Sequence, residues 1–204
     1  MINKKELWDN VFASKTDDQK SWYEEFPHAS MKLITELKVA KNSSIIDIGG
    51  GDSHLVDALL QRGYKDISVL DISKNALQNS KRRLGKDAGQ VNWVVCDVLN
   101  FNPQHQFDLW HDRAVFHFFT DEKSITGYLD KMIMSIKEGG SLILATFSDN
   151  GPEKCSGLPV KKYSQKTLTE LLEPYFQKIK CIEERHTTPF NTLQPFTFCG
   201  FKKI

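Results

Sequence analysis

The chain is 204 residues long, 40% hydrophobic and 26% charged, with a formal net charge of +1. That length suits one α/β domain with a well-formed core, and the near-neutral balance argues against a nucleic-acid binder held by bulk electrostatics. The four scattered cysteines form no CxxC pair and no apolar run could span a bilayer, so we expect no zinc site or disulfide framework and a soluble protein of the reducing cytoplasm.

Residues 1–40 read as helical and aromatic. Trp8, Phe12, Trp22, Tyr23 and Phe26 precede the first strand, Pro27 breaks the pattern, and His28 to Leu37 resumes it as a helix. These rings either cover one face of the core or form a lid over an apolar ligand pocket. Trp22 and Tyr23, just ahead of the break, are the better pocket candidates.

The next stretch organises the rest. Ser44-Ile45-Ile46-Asp47-Ile48 is a β-branched run containing an acid, followed by Gly49-Gly50-Gly51 and a helix expected to start at Asp52 or Ser53. Glycine lets a bulky ligand lie against the backbone, and a helix N-terminus offers unpaired N–H groups to a carboxylate. Leu55, Val56, Leu59 and Leu60 give an apolar stripe that stops near Gly63. Ile67 to Asp71 is a second strand ending in an acid, and Ser73 caps a helix from Lys74 to Leu84. Asp71 lies about twenty residues beyond the glycines, where the acid of a nucleotide-binding βαβ unit reaches ribose hydroxyls.

Val91 to Asp97 is a third strand closed by an acid; Asp97 suits an exocyclic amine such as adenine's, with Val98 against the ring. Gln106 to Arg113 is the fourth strand and its exit, and the helix beyond it ends at Glu138-Gly139-Gly140. Ser141 to Phe147 is apolar enough for a strand buried on both faces. A structureless loop from Ser148 to Val160 has the length of a functional lid. Tyr163 to Tyr175 is a last helix capped by Ser164, and Lys178–Glu184 and Phe196–Phe201 close the chain as a strand pair. The order predicts an open α/β sheet whose final strand is antiparallel.

From about Ser44 onward these residues resemble the class I S-adenosylmethionine-dependent methyltransferases. Asp47-Ile-Gly-Gly-Gly51 matches the first motif, Asp71 and Asp97 the acids ending strands two and three, and Glu138-Gly139-Gly140-Ser141 the turn before strand five. Ser53 stands in the place of the motif's third glycine. The resemblance implies a Rossmann-like, seven-stranded, mostly parallel sheet with helices on both faces. It implies one domain over residues 1–204, with 1–40 as a helical cap and 41–204 as the cofactor-binding core. The implied cofactor is S-adenosyl-L-methionine, leaving as S-adenosyl-L-homocysteine, with contacts at Asp47, Gly49, Gly50, Gly51, Asp71, Ile72, Asp97, Val98 and His111. Methyl transfer is then an in-line displacement helped by proximity and orientation.

The Trp-rich opening and Trp110-His111-Asp112-Arg113 resemble small bacterial methyltransferases, and in part thiopurine, thiol and halide methyltransferases. No Asn/Asp-Pro-Pro-Tyr motif follows strand four, which counts against amino-group methylation of adenine, cytosine or glutamine. A small-molecule acceptor is expected; a protein-lysine substrate stays open. His111, Asp112 and Arg113, on the rim where ligands bind such sheets, are the catalytic candidates, although Asp112 and Arg113 could equally form an ion pair. Trp22, Tyr23, Arg113, Phe116, His117 and Tyr163 are candidates for the substrate side, with His186 expected outside the pocket. Cys155 either meets substrate or is simply packed. Two other classes compete: a nicotinamide-dependent oxidoreductase, against which His54 stands where that fingerprint has its third glycine, and a non-catalytic cofactor-binding subunit.

Overall fold

The computed structural model describes residues 3–204. In chain order the elements are α1 (Lys4–Ser14), α2 (His28–Glu36), β1 (Ser44–Ile48), α3 (Leu55–Gln61), β2 (Asp66–Asp71), α4 (Lys74–Leu84), β3 (Val91–Val95) and β4 (Phe107–Arg113). They continue with α5 (Glu122–Ser135), β5 (Ile136–Phe147), β6 (Lys154–Cys155), β7 (Leu158–Pro159), α6 (Gln165–Leu172), β8 (Phe176–Thr187) and β9 (Leu193–Lys203). Seven strands form one sheet in the order β3-β2-β1-β4-β5-β9-β8. Pairs from β3 through β5 are parallel, and β9 runs antiparallel to both β5 and β8. The final strand is thus the reversed one, as the sequence pattern predicts.

Alternation along each strand sends side chains to two cores. Ile45, Leu109 and Ile143 face a layer containing Leu33, Ile34, Leu55 and Leu59. Ile46, Ile48, Trp110, Leu142 and Leu144 face the other, with Tyr128, Met132, Leu168 and Leu172. Most of these side chains are fully buried, each worth about 1.5–3 kcal/mol of apolar transfer. No helix among the described residues is long and apolar enough to cross a membrane.

Four expectations need correction. Helix α3 starts at Leu55 with His54 as N-cap; Lys20 holds the Asp52 carboxylate, and Ser53, whose N–H bonds Gly50 O, accepts the Leu55 N–H on its Oγ at 3.1 Å. Helix α5 ends at Ser135, and Glu138-Gly139-Gly140 lie within β5, at an irregularity in its register with β4 where Gly139 has φ +68°. Within Ser148–Val160 the small β6–β7 hairpin forms, and the segment after it is anchored by Lys161 N–H to His117 O (2.8 Å) and Tyr163 N–H to Phe147 O (3.0 Å). Cys181 and Cys199 are joined as a disulfide: antiparallel register sets them opposite each other, Cα atoms 4.1 Å apart, although 18 residues separate them in sequence.

Candidate cofactor and acceptor site

Strand order reverses between β1 and β4, and ligands of open α/β sheets bind in the crevice at that point. One cavity opens there, floored by the loop after β1. Gly49 and Gly51 adopt φ of +63° and +50°. A Cβ on Gly50 would stand 2.5 Å from Asp47 Oδ2 and 2.6 Å from Val69 Cγ1, and one on Gly51 3.2 Å from Asp71 Oδ2 and Phe12 Cζ. Only glycine leaves this cradle clear.

Asp47, Asp71 and Asp97 line the same cavity from the ends of neighbouring strands, with Ile72 and Val98 beside them. His111 Nδ1 lies 2.7 Å from Asp47 Oδ1, and His111 Nε2 lies 2.9 Å from Ser30 Oγ on α2. Asp71 Oδ1 accepts the Ser73 N–H at 2.7 Å. Burial pushes the Asp71 carboxyl up to about 7; the Ser73 hydrogen bond opposes this, and the charges of Asp52, Asp47 and Asp9 reinforce it. Asp71 Oδ2 has no hydrogen-bond partner among the described residues. A buried carboxyl beside an open glycine cradle fits vicinal hydroxyl donors, so the residues present suit a nucleoside-bearing cofactor.

The chain roofs this cavity itself. Asp9 on α1 accepts from Ser73 Oγ (2.7 Å), Asn75 Nδ2 donates to Asp9 O (3.0 Å), and Asn79 Nδ2 donates to Phe12 O (3.1 Å). Trp8 meets Trp22 and Phe118 edge-to-face with centroids 5.8 and 5.6 Å apart, and all three rings line the cavity. Farther on, buried Lys20 pairs with Asp52; burial alone would lower its ammonium, but Asp52 and Asp17 raise it.

Toward β8 and β9, Arg113 donates to Trp22 O (3.1 Å) and Glu24 Oε1 (2.5 Å) and stacks over Phe196. Burial alone would raise the Glu24 carboxyl, yet His186 and Arg113 hold it below the usual range. His186, expected in a loop, lies in β8 and donates from Nε2 to Ser21 O at 2.7 Å. Tyr23 lies edge-on to His54, and both line the cavity with Cys155. Burial pushes the Cys155 thiol up to about 11, so it is not a thiolate near neutral pH.

Asp112, Phe116, His117 and Tyr163 do not line the cavity. Asp112 is fully buried and accepts from Tyr128 Oη and from the Val115 and Phe116 N–H groups, which shapes the turn after β4. It forms no ion pair with Arg113, whose partner is Glu24. His117 is fully buried against Phe118 and Phe147, and desolvation pushes its pKa down to about 3. Tyr163 stacks on Phe116 at 5.2 Å in the core. Residues that local pattern did not reveal are Asp9, Lys20, Glu24, Ser30 and His54. Their partners lie 29 to 89 positions away in sequence, beyond any local motif.

Residues 45–140 match the family model described as a methyltransferase domain. Malonyl-acyl-carrier-protein O-methyltransferase 1 of Ilyobacter polytropus is 26% identical over 190 residues, covering 85% of this chain and 69% of that protein. EEF1A lysine methyltransferase 2 of Danio rerio is 26% identical over 125 residues, 56% of this chain and 54% of that one. The fold is shared with the 1,6-didemethyltoxoflavin N1-methyltransferase of Burkholderia thailandensis, solved with S-adenosylhomocysteine, at TM-score 0.76, 18% identity and coverage of 98% and 87%. Residues 45–140 thus carry a methyltransferase domain, and the homologues and the shared fold together support a class I S-adenosylmethionine-dependent methyltransferase.

Proposed function

We propose that the cavity holds S-adenosylmethionine along the β3-β2-β1 edge and takes a small-molecule methyl acceptor beside Trp22, Tyr23 and Arg113. The observation that carries this is the convergence of Asp47, Asp71 and Asp97 on one cavity around the glycine loop. In this reading Asp97 and Val98 meet the adenine, Asp71 and Ile72 the ribose, and Asp47 with Gly49, Gly50 and Gly51 the amino-acid end. The cofactor, when bound, supplies a methyl group on a cationic sulfur for displacement by the acceptor's nucleophile.

The protein's part is to orient the two reactants and exclude water. The roof formed by α1 and residues 15–27 leaves room for a small ligand, which favours such an acceptor over a folded protein. His111 has both ring nitrogens bonded and Cys155 holds its proton, so neither serves as a general base in this arrangement. A second reading, a basic peptide acceptor, is favoured by an open groove beyond Tyr23 and Glu24 lined by Asp17, Asp18, Glu25 and Glu184.

Calorimetric titration with S-adenosylhomocysteine, with NADH as control, tests the cofactor assignment. Micromolar binding of the first alone is expected; binding of NADH alone would overturn it. Methyl transfer from labelled cofactor to lysine peptides, and not to small acids, amines or thiols, would favour the second reading.

A further inference from the structure

The His111 ring lines the cavity yet has no nitrogen left for a ligand. Asp47 Oδ1 lies 2.7 Å from Nδ1 and Ser30 Oγ 2.9 Å from Nε2, and the three residues are 2%, 3% and 1% exposed for His111, Asp47 and Ser30. An ionised carboxylate only accepts hydrogen bonds, so Nδ1 carries the proton. In the neutral ring Nε2 is then the acceptor, and the Ser30 hydroxyl donates to it. Asp47 and His111 are register partners on β1 and β4, so the dyad is set by strand pairing, and Ser30 reaches it from the first turn of α2.

We propose that Ser30 and His111 form a relay that fixes the Asp47 carboxylate for the cofactor, which makes both positioning residues that act through Asp47. The proposal rests on the reading that Asp47 faces the amino-acid end of the cofactor. Asp47 sets the Nδ1–H tautomer, and Ser30, donating to Nε2, holds the ring in the plane that points Nδ1–H at the carboxylate. Asp47 Oδ2 is confined from the other side, beneath Gly50, where a Cβ would stand 2.5 Å away. A carboxylate held at Oδ1 and packed close beneath Gly50 at Oδ2 meets its ligand without first losing side-chain freedom, and that saving appears as affinity. The relay also ties the ligand's acid to α2, the helix directly after the roof segment 15–27.

Ser30→Ala, His111→Asn and His111→Phe test the relay, with S-adenosylhomocysteine as the probe in calorimetry. Imidazole 15N shifts of the unliganded protein report the tautomer. Ser30→Ala should weaken binding roughly threefold to tenfold and shift the Nε2 resonance while Nδ1 keeps its proton, from loss of one hydrogen bond in a charged chain. His111→Phe should weaken it about tenfold or more, and His111→Asn, whose amide still donates to Asp47, should recover part of that loss. Wild-type affinity together with an unchanged Nε2 resonance in Ser30→Ala would overturn the relay, as would equal affinity of the Phe and Asn variants. If the wild-type protein binds no S-adenosylhomocysteine, the cofactor reading falls, and the positioning role falls with it. The 15N measurement on unliganded protein then still separates that failure from a relay that never formed.

Discussion

Burial pushes the carboxyls of Asp71 and Asp112 up to about 7, and only Asp71 lines the cavity. A carboxyl whose pKa is raised by folding stabilises the fold below its unfolded value near 4, and that contribution is lost as pH rises through about 7. The melting temperature of the unliganded protein should therefore fall between about pH 4 and 7, less steeply in Asp71→Asn. Ribose hydroxyls donating to Asp71 favour its ionised form. S-adenosylhomocysteine binding should then release a proton in the same window and tighten with rising pH, and Asp71→Asn should abolish both, as calorimetry in buffers of different ionisation enthalpy would report. Gly50→Ala offers a second check: its methyl group would collide with Asp47 Oδ2 and Val69, lowering stability by about 1–3 kcal/mol in denaturant titration and weakening the probe's binding. Asp47, Asp71 and Asp97 were legible in sequence because each stands at a strand end after an apolar run. Glu24 and Ser30 were not, because only the tertiary fold brings them to Arg113 and His111.

Strands and their order followed from runs such as Ile45–Ile48 and Leu142–Phe147, whose β-branched and apolar character leaves few alternatives. Boundaries were less legible where a side-chain partner or a bulge intervenes. Lys20 holds the Asp52 carboxylate ahead of α3, and the Gly139 irregularity lets β5 begin before the glycine pair. Helix α1 belongs with these elements, since its attachment depends on distant α4. Phe12 is its only buried residue among those described, so Asp9 supplies much of what orients it. Asp9→Ala should speed dissociation of S-adenosylhomocysteine in stopped-flow measurements of Trp8 and Trp22 fluorescence while changing the melting temperature little. A large fall in melting temperature with an unchanged dissociation rate would make α1 part of the core rather than a roof.

Across the whole molecule, the sheet divides into a ligand-binding part and a bracing part. The candidate site lies at the ends of β1, β2, β3 and β4, and the disulfide joins β8 and β9 at the far edge. Cross-linking residues 18 apart contributes about 3 kcal/mol on loop-entropy grounds. Cys181→Ser with Cys199→Ser should lower stability in denaturant titration by roughly that amount and leave affinity for S-adenosylhomocysteine unchanged. Composition could not reveal this bond, because cysteine spacing says nothing about antiparallel register. The roof has a consequence for timing as well. Asp9 is synthesised 64 residues before Ser73, so during translation α1 has the Trp22 ring to rest on but lacks its α4 partners until Ser73, Asn75 and Asn79 have been made. A helix attached through one buried ring, the edge-on contacts of Trp8 and a few hydrogen bonds is expected to lift before the sheet opens, as hydrogen exchange would show. The last step of folding and the opening of the cavity would then be one movement run in opposite directions, leaving the sheet undisturbed.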